Sequence, residues 1–318
     1  MPITSGAYGT AARAVTATTA AAFIPDMWSD EIVAAYKRAL VMASNVRRIT
    51  VAGKKGDVLN IPAPTRATAN AKAAGTLVQI QNDTESNVQV TINQHFEASR
   101  LIEDIVEVQA LDSLRAFYTD DLGFALARQK DTALVQLGRS FNAGNGTAAY
   151  NAAFIGGDGN TLYNSGTPNA TALTAAGIRR AIQRMDDADL PMENRVFIIP
   201  PVARNTLMGI SDFTAQSFVG EVGAANTIRN GRIGNLYGVE VFVTPNADTA
   251  TGGARICLMF HKDALVLVEQ VGLRVQTQYK QEYLADLLTA DTLYGVQNIR
   301  TGTDVDVPSG GFALAIPA

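Results

Sequence analysis

The hydrophobic positions of this chain repeat with two periods, one typical of strands and one typical of helices. From Val88 to Phe96 apolar and polar residues alternate, and residues 273–279 alternate in the same way. Alternation with period two predicts half-buried strands. Over residues 110–141 apolar residues instead recur every three or four positions, with Asp112 placed as the N-cap. This second pattern predicts one long helix, so the chain combines both kinds of element.

Shorter segments add further helices and strands in mixed order. Helical spacing and helix-start signals predict helices over residues 25–45, 172–188 and 202–210. Apolar runs bounded by turn residues predict strands over residues 58–61, 196–199, 239–243, 255–260, 264–268 and 292–300. Because no regular strand-helix-strand repeat is present, the pattern favours an α+β fold over a doubly wound parallel sheet.

Two segments lack the large apolar side chains that a core requires. Residues 1–22 are mostly Ala, Thr, Gly and Ser, which indicates an arm that does not fold alone. Residues 65–87 lie between two predicted strands of a hairpin, and their sizeable apolar residues are Leu77, Val78 and Ile80. A long insertion without a core is usually functional or disordered. We expect it to form an extended hairpin that packs on a neighbouring molecule.

Composition narrows the class of protein. With 47% hydrophobic and 18% charged residues in 318 positions, the chain is typical of globular proteins. The net charge of −4 and the lack of a basic run predict no tight grip on nucleic acid. No apolar stretch approaches the roughly 20 residues of a membrane span, and the N-terminus lacks a signal-peptide pattern. Cys257, inside an apolar run, is predicted to be a buried small hydrophobe in a protein that folds in a reducing compartment.

The residue types that carry chemistry show no ligand or catalytic spacing. His95 and His261 lie far apart in sequence, so structural roles are favoured over a metal site. Residues 144–149 match a loose G-x-G-x-x-A pattern, but they follow a predicted helix, which favours a loop over a dinucleotide site. The acidic residues of segments 156–160 and 186–189 lack the spacing of a calcium loop, which favours turns and helix ends. We therefore expect no catalytic residue, cofactor or metal.

Residues 231–246 provide the most specific local pattern, GRIGNLYGVEVFVTPN. Its predicted turn glycines are Gly231, Gly234 and Gly238, and Gly238 stands where a tight turn into a strand needs backbone freedom. This turn resembles a pattern of the major capsid (coat) proteins of tailed double-stranded DNA bacteriophages, which have the Hong Kong 97-type fold. The linear order of arm, hairpin, long helix and later strands resembles that family over nearly the whole chain.

The resemblance implies five segments. Residues 1–49 correspond to an N-terminal arm and helix, and residues 50–100 to an extended β-hairpin called the E-loop. Residues 101–168 correspond to a peripheral domain with a long spine helix and a connector. Residues 169–270 correspond to an axial domain, and residues 271–318 to a return to the peripheral sheet followed by a C-terminal tail.

The resemblance also implies a function. The chain is expected to be a structural protein, not an enzyme, that assembles as hexamers and pentamers into an icosahedral shell around a phage genome. Its implied partners are a separate scaffolding protein, a portal protein, optionally a cementing protein, and enclosed double-stranded DNA without sequence-specific binding or any membrane. The expected location is the virion capsid, assembled in the host bacterial cytoplasm. The main alternative is an encapsulin shell around a cargo enzyme, and the long arm and coreless hairpin favour the phage protein; a tail or surface-layer protein and an enzyme are more distant alternatives.

Candidate residues for contacts between subunits follow from this assignment. Leu77, Val78 and Ile80 are expected to bury apolar area only in the shell. Some relatives join subunits through a Lys to Asn isopeptide bond. Lys54, Lys55 and Lys72 lie in the hairpin region, but solvated surface lysines are the ordinary interpretation of these three residues. The charged candidates are basic residues of the hairpin region, Lys54, Lys55, Arg66 and Lys72, and acidic residues just after it, Glu103, Asp104 and Glu107. The acidic cluster is a candidate ion-pair partner for Arg66 or Lys72, with a solvated face as the alternative.

Overall fold

The structure, a computed structural model, describes residues 40–63, 69–78, 80, 86–109, 114–141, 154–163, 169–210, 234–250, 252–299 and 310–318. In chain order its strands are β1 (Arg47–Thr50), β2 (Val58–Ala63), β3 (Ser86–Thr91), β4 (Gln94–Glu103), β5 (Ile155–Gly156), β6 (Arg195–Ile199), β7 (Asn235–Leu236), β8 (Val239–Val243), β9 (Arg255–His261), β10 (Leu265–Lys280), β11 (Ala285–Asn298) and β12 (Gly311–Ile316). Its helices are α1 (Asp104–Gln109), α2 (Leu114–Leu137), α3 (Ala175–Asp187) and α4 (Pro201–Met208). Helices and strands follow one another without a repeating unit, which confirms the predicted α+β class.

A four-stranded sheet contains β1, β10, β11 and β4 in that order. β1 runs parallel to β10, and the remaining neighbours are antiparallel. The β10–β11 pair is the longest in the fold, with Leu265 opposite Asn298 at one end and Lys280 opposite Ala285 at the other. Its first five β10 residues are buried and residues 272–279 are exposed, so the pair extends from the core into solvent.

Helix α2 packs against two parts of the molecule. Leu122 and Leu126 lie in a buried cluster with Leu288 of β11, whereas Leu134 lies in a cluster with Leu258 of β9. A helix of 24 residues is about 36 Å long at 1.5 Å per residue, which is long enough to reach both clusters. Helix α2 is therefore the spine that joins the four-stranded sheet to the second sheet.

The second sheet has six strands in the order β5, β12, β9, β6, β8 and β7. Helices α3 and α4 cover one of its faces, where Ile178 and Leu207 share a buried cluster with Phe197 and Phe312. The opposite face contacts α2 and the residues around it. Because both faces are covered, β6, β9 and β12 are buried along their length, which explains their almost uninterrupted apolar sequences.

The long alternating run at residues 88–96 is divided between two sheets rather than forming one strand. β3 pairs with β2 as the base of a hairpin, and β4 pairs with β11 in the four-stranded sheet. The chain changes sheets at Ile92, where the Gly295 Cα lies so close that an added Cβ would be 2.4 Å from the Thr91 carbonyl oxygen. The periodicity was right on both sides of this break, but side-chain alternation does not report which strand is the partner.

Three other predictions need correction. The helix predicted over residues 25–45 falls outside the described residues up to position 39, and residues 42–44 form a hydrogen-bonded turn in which the Asn45 N–H donates to the Met42 carbonyl. The strands predicted over residues 264–268 and 273–279 form the single strand β10, with a register shift between Val271 and Arg274. The segment expected to return to the peripheral sheet ends in β12, which lies in the six-stranded sheet and pairs with β9.

Candidate subunit-contact surfaces

We call residues 64–85, between β2 and β3, the excursion, and its large apolar side chains at positions 77, 78 and 80 lie in solvent. Leu77, Val78 and Ile80 are 94%, 72% and 91% exposed. Lys72 is also exposed and is the one charged residue in the sequence of positions 69–80. Exposed groups of large apolar side chains are typical of interaction surfaces, and the subunit contact of these three residues stays a prediction.

The base of the same hairpin is held firmly by the rest of the subunit. Val90 of β3 is fully buried in a cluster with Val266 of β10. The Gln270 side chain donates hydrogen bonds to the carbonyl oxygens of Lys54, at 2.9 Å, and Gly56, at 3.1 Å. These bonds fix the turn that precedes β2, while the side chains of Lys54 and Lys55 remain exposed.

The predicted acidic cluster lies at the far end of the four-stranded sheet. Glu103 ends β4 and is exposed, and Asp104 begins α1. The Tyr279 hydroxyl donates to Asp104 Oδ2 at 2.8 Å, and this hydrogen bond raises the pKa of Tyr279 above its usual value. The Asp104 N–H donates to the Leu284 carbonyl at 3.1 Å, so the cluster is attached to the turn between β10 and β11.

The cluster and its proposed partners are only partly within the described residues. Arg66 and the side chain of Glu107 lie outside them. Lys72, the other candidate partner, is exposed on the excursion. An ion pair between Lys72 and the acidic cluster of a neighbouring subunit therefore stays a prediction.

The same end of the sheet has an apolar surface that sequence reasoning missed. We call it the tip surface, and its side chains are between 45% and 66% exposed: Leu101, Ile105, Val106, Tyr279, Tyr283 and Leu284. Helix α1 has six residues, too few to show a helical period, and the turn residues Tyr283 and Leu284 belong to no periodic segment. The available signal was the apolar pair Tyr283 and Leu284 beside polar residues. Such a pair in a sequence does not show whether its side chains are exposed or buried.

A buried charge network connects α2 with β10. Lys130 Nζ is 2.6 Å from Glu269 Oε1, and Arg48 Nη2 is 2.8 Å from Glu269 Oε2. Burial works to raise the pKa of Glu269, but the hydrogen bonds from Lys130 and Arg48 outweigh it and hold the pKa below its usual range. The network was not predicted because its members are far apart in sequence.

A second network lies on the face of the sheet that α2 does not cover. Arg274 donates two hydrogen bonds to Asp291, at 2.9 Å and 2.6 Å, and these bonds lower the pKa of that carboxyl group. His95 Nε2 lies 3.5 Å from Asp291 Oδ2. This places His95 beside a carboxylate on an exposed strand face, where the sequence had predicted a polar position.

The segments that suggested cation sites form structural turns. In residues 156–160 the Asp158 carboxylate accepts hydrogen bonds from the Asn160 and Thr161 N–H groups and from two threonine hydroxyls. Burial works to raise the pKa of Asp158, and these bonds outweigh it and lower the pKa. In residues 186–189, Asp186 pairs with Arg195 at 2.6 Å. Within the described part of the chain, no three metal-ligating side chains are grouped.

The predicted turn glycines differ from one another. Gly238 has φ of +87° and follows Tyr237 with φ of +52°, the pair that a two-residue type I′ hairpin loop between β7 and β8 requires. The Gly238 N–H donates to Asn235 Oδ1 at 2.9 Å. Gly234 has open space around its Cα and its φ lies outside the left-handed region, and Gly231 lies outside the described residues.

No helix among the described residues is both long and apolar enough to cross a membrane.

Comparison with sequence families gives a match to a model described as phage capsid protein, over residues 33–307. No curated protein sequence matches the chain.

Solved structures match over nearly the full chain. The structure of Mycobacterium phage Che8 is 24% identical, with a TM-score of 0.70 over 92% of this chain and 97% of that chain. The capsid structure of cyanophage P-SCSP1u is 18% identical, with a TM-score of 0.70 over 94% of each chain. The capsid of a native GTA particle is 11% identical, with a TM-score of 0.67 over 97% of this chain and 100% of that chain. The shared fold agrees with the family match, and the chain therefore belongs to the phage capsid protein family, with the Hong Kong 97-type fold and the role of a structural shell protein.

Proposed function

We propose that this chain is the major capsid subunit that assembles, as hexamers and pentamers, into an icosahedral shell around a double-stranded DNA phage genome. The observation that carries the proposal is the excursion with Leu77, Val78 and Ile80 in solvent on a firmly anchored hairpin base. Covering one such side chain contributes about 1.5–3 kcal/mol, and a shell repeats the contact in every subunit. None of the three similar structures described above is that of an encapsulin.

The proposed contacts of this assembly use the charged residues of the hairpin region and of the acidic cluster. The excursion of one subunit packs on its neighbour and brings Arg66 and Lys72 to the acidic residues of that neighbour, which are Glu103, Asp104 and Glu107. Exposed ion pairs contribute at most about 1 kcal/mol each, so the apolar side chains supply most of the affinity and the charges select the register. Lys54 and Lys55, exposed at the hairpin base, add contacts beside the excursion.

The proposed domains follow the two sheets. The four-stranded sheet with α2 forms the core of a peripheral domain, and the six-stranded sheet with α3 and α4 forms the core of an axial domain. The arm of residues 1–49 and the hairpin of residues 50–100 extend from the peripheral domain. Residues 101–168, 169–270 and 271–318 make up the rest. At the boundaries β12 is assigned to the axial sheet, and β1, β4 and residues 265–270 of β10 are assigned to the peripheral sheet.

The proposed partners are a separate scaffolding protein, a portal protein, optionally a cementing protein, and the enclosed DNA. The net charge of −4 supports enclosure rather than sequence-specific binding, because a wall that attracted phosphates strongly would impede packing and release of the genome. The subunit is proposed to carry no catalytic activity and to assemble in the host cytoplasm. Membership in the phage capsid protein family supports the structural, non-catalytic role.

Deletion of the excursion tests the proposal. β2 ends at Ala63 and β3 begins at Ser86, so residues 64–85 are replaced by a short Gly/Ser turn that leaves both strands intact. We expect a soluble monomer that unfolds cooperatively, and no shells in electron micrographs after co-expression with the scaffold. The control replaces only residues 69–71, which keeps Lys72 and the apolar side chains of the excursion. Normal shells from the deletion variant, or a subunit that fails to fold without residues 64–85, would contradict the proposal.

A further inference from the structure

An apolar groove lies between helix α2 and strand β10. It has a volume of about 190 Å³, and its uncharged lining residues include Leu40, Ala43, Gly123, Leu126, Ala127 and Leu273. Gly123 faces Leu273 in the groove, since an added Cβ would stand 3.5 Å from Leu273 Cδ2, an ordinary contact distance. The charged lining residues are Arg48, Lys130 and Glu269, which already pair with one another. The groove therefore favours an apolar occupant over a charged one.

The groove continues along an uncovered part of β10. Val275 lies opposite Ala290 and Thr277 opposite Leu288, and both of these β11 partners pack under α2, so this face of β10 is the α2 side of the sheet. Leu273 and Val275 are nevertheless 52% and 39% exposed. Among the described residues, β1 pairs with β10 only as far as Glu269, and no strand follows it along that edge.

The chain itself enters the described structure at this groove. Leu40, which lines the groove, is the first described residue. Two positions later the Met42 N–H donates to Asp131 Oδ1 of α2 at 2.7 Å, and Asp131 is fully buried. This bond fixes the point at which the preceding residues reach the groove. A segment tethered so closely has a millimolar effective concentration at the site, an advantage that a separate molecule lacks.

The sequence before Leu40 has the chemistry that the groove requires. At helical spacing Ile32, Tyr36 and Ala39 share one side, while Lys37 and Arg38 fall elsewhere around the axis. Eight residues in a helix extend about 12 Å, and the part of β10 from Leu273 to Tyr279 extends about 20 Å, so the segment fits along it. We propose that residues 32–39 of the same chain occupy this groove, with their apolar side on Gly123 and Leu273.

This arrangement sets the boundary between the free N-terminal arm and the folded subunit. If residues 32–39 are bound to their own subunit, the part of the N-terminus that extends to other subunits is residues 1–31. The groove then belongs to the folding of one subunit, whereas the excursion belongs to assembly. The inference is independent of the contacts proposed for Leu77, Val78 and Ile80.

Disulfide trapping tests the occupant. Tyr36→Cys is combined with Gly123→Cys in the full chain, and the native Cys257 is retained because it is fully buried and burial raises the pKa of its thiol. We expect mild oxidation to give a disulfide within one chain, seen as a faster-migrating monomer that reducing agent reverts. The matched control places the second cysteine at Ala125, which is exposed on α2 and about 200° around the helix from Gly123, and it should cross-link at least about tenfold more slowly. A disulfide between chains would assign the segment to a neighbour, and no disulfide would leave the groove without this occupant; either result overturns the proposal.

Proteolysis provides a second measurement that needs no cross-link. Gly123→Trp fills the groove, and we expect trypsin cleavage after Lys37 and Arg38, measured by mass spectrometry, to become at least about tenfold faster. Ala125→Trp, two positions along the same helix, should leave that rate unchanged. Equal rates for the two tryptophan variants would overturn the proposal, provided that both unfold at the temperature of the unmodified protein.

Discussion

Lys130 of helix α2 and Glu269 of strand β10 form a buried ion pair, with Nζ 2.6 Å from Oε1. Removing Lys130 takes away the buried partner of Glu269 and leaves it paired with Arg48, which is 57% exposed and compensates the charge less well. We expect Lys130→Met to lower the free energy of unfolding by about 3 kcal/mol, measured by urea denaturation of the monomer. The double variant with Glu269→Met should lose less, because Arg48, which then loses its partner, is 57% exposed. A double variant less stable than Lys130→Met would contradict this account.

Acid should destabilise the subunit through the same carboxyl group. The pKa of Glu269 is lowered in the folded protein, so the unfolded chain binds a proton more readily. The stability from Glu269 is complete above its unfolded pKa of about 4.3 and is lost as the pH falls through the lower folded value. We expect the free energy of unfolding to fall steeply below about pH 4. Glu269→Gln should make this fall shallower, and an unchanged slope would contradict the assignment.

The excursion should tolerate polar substitution without harm to the monomer. Leu77→Ser with Ile80→Ser removes two apolar side chains that are exposed in the subunit, so we expect its unfolding free energy to change by less than about 0.5 kcal/mol. Shell yield, measured by sedimentation and electron microscopy, should fall to background. The control is Val90→Ala at the buried hairpin base, which should cost more than about 1 kcal/mol. Full shell yield from the double variant would argue against the proposed contact.

Tyr294 should accept phenylalanine without loss of stability. Its ring is fully buried against Phe96, with centroids 6.0 Å apart, and its hydroxyl has no hydrogen-bond partner in the described part of the chain. Burial also raises the pKa of Tyr294 to about 12. An unpaired buried hydroxyl is costly. We therefore expect Tyr294→Phe to leave the free energy of unfolding, measured by urea denaturation, unchanged or to raise it by up to about 1 kcal/mol. Tyr294→Leu, which loses the ring, should cost about 2 kcal/mol or more.

The two described turn glycines should respond differently to alanine. Gly238 has φ of +87°, where a Cβ costs about 1–2 kcal/mol, although no atom lies near enough to clash. We expect Gly238→Ala to lower the unfolding free energy by that amount. Gly234→Ala, with the same open surroundings but without positive φ, should change it by less than about 0.5 kcal/mol. Equal effects at the two positions would show that backbone strain is not the cause.

Sequence reasoning succeeded where one segment carried its own signal. The spine helix, predicted over residues 110–141, is observed as Leu114–Leu137 because its apolar period is long and unbroken. The exposed side chains of the excursion followed from a composition that provides no core. Strand β12 was missed, since its short run at the end of the chain is apolar on both faces and gives no period.

Partners distant in sequence could not be predicted. Lys130 and Glu269 are 139 positions apart, and neither has a local pattern that names the other. The break between β3 and β4 depends on close approach of Gly295, which belongs to a different part of the chain. Such contacts depend on tertiary packing, which a periodicity within one segment does not encode.

Strand β10 has an uneven distribution of burial, with residues 265–269 in the core and residues 272–279 in solvent. The inner part contributes to two buried clusters, whereas the outer part is held by its pairing with β11 and by the polar contacts of Arg274 and Tyr279. Backbone amides of the outer part should therefore exchange with solvent by local opening, long before the core unfolds. On the face turned away from α2, mutations at Gln276 and Gln278 that adapt the outer part to a new neighbour can accumulate with little cost to folding, while the inner part of the same strand keeps them in place.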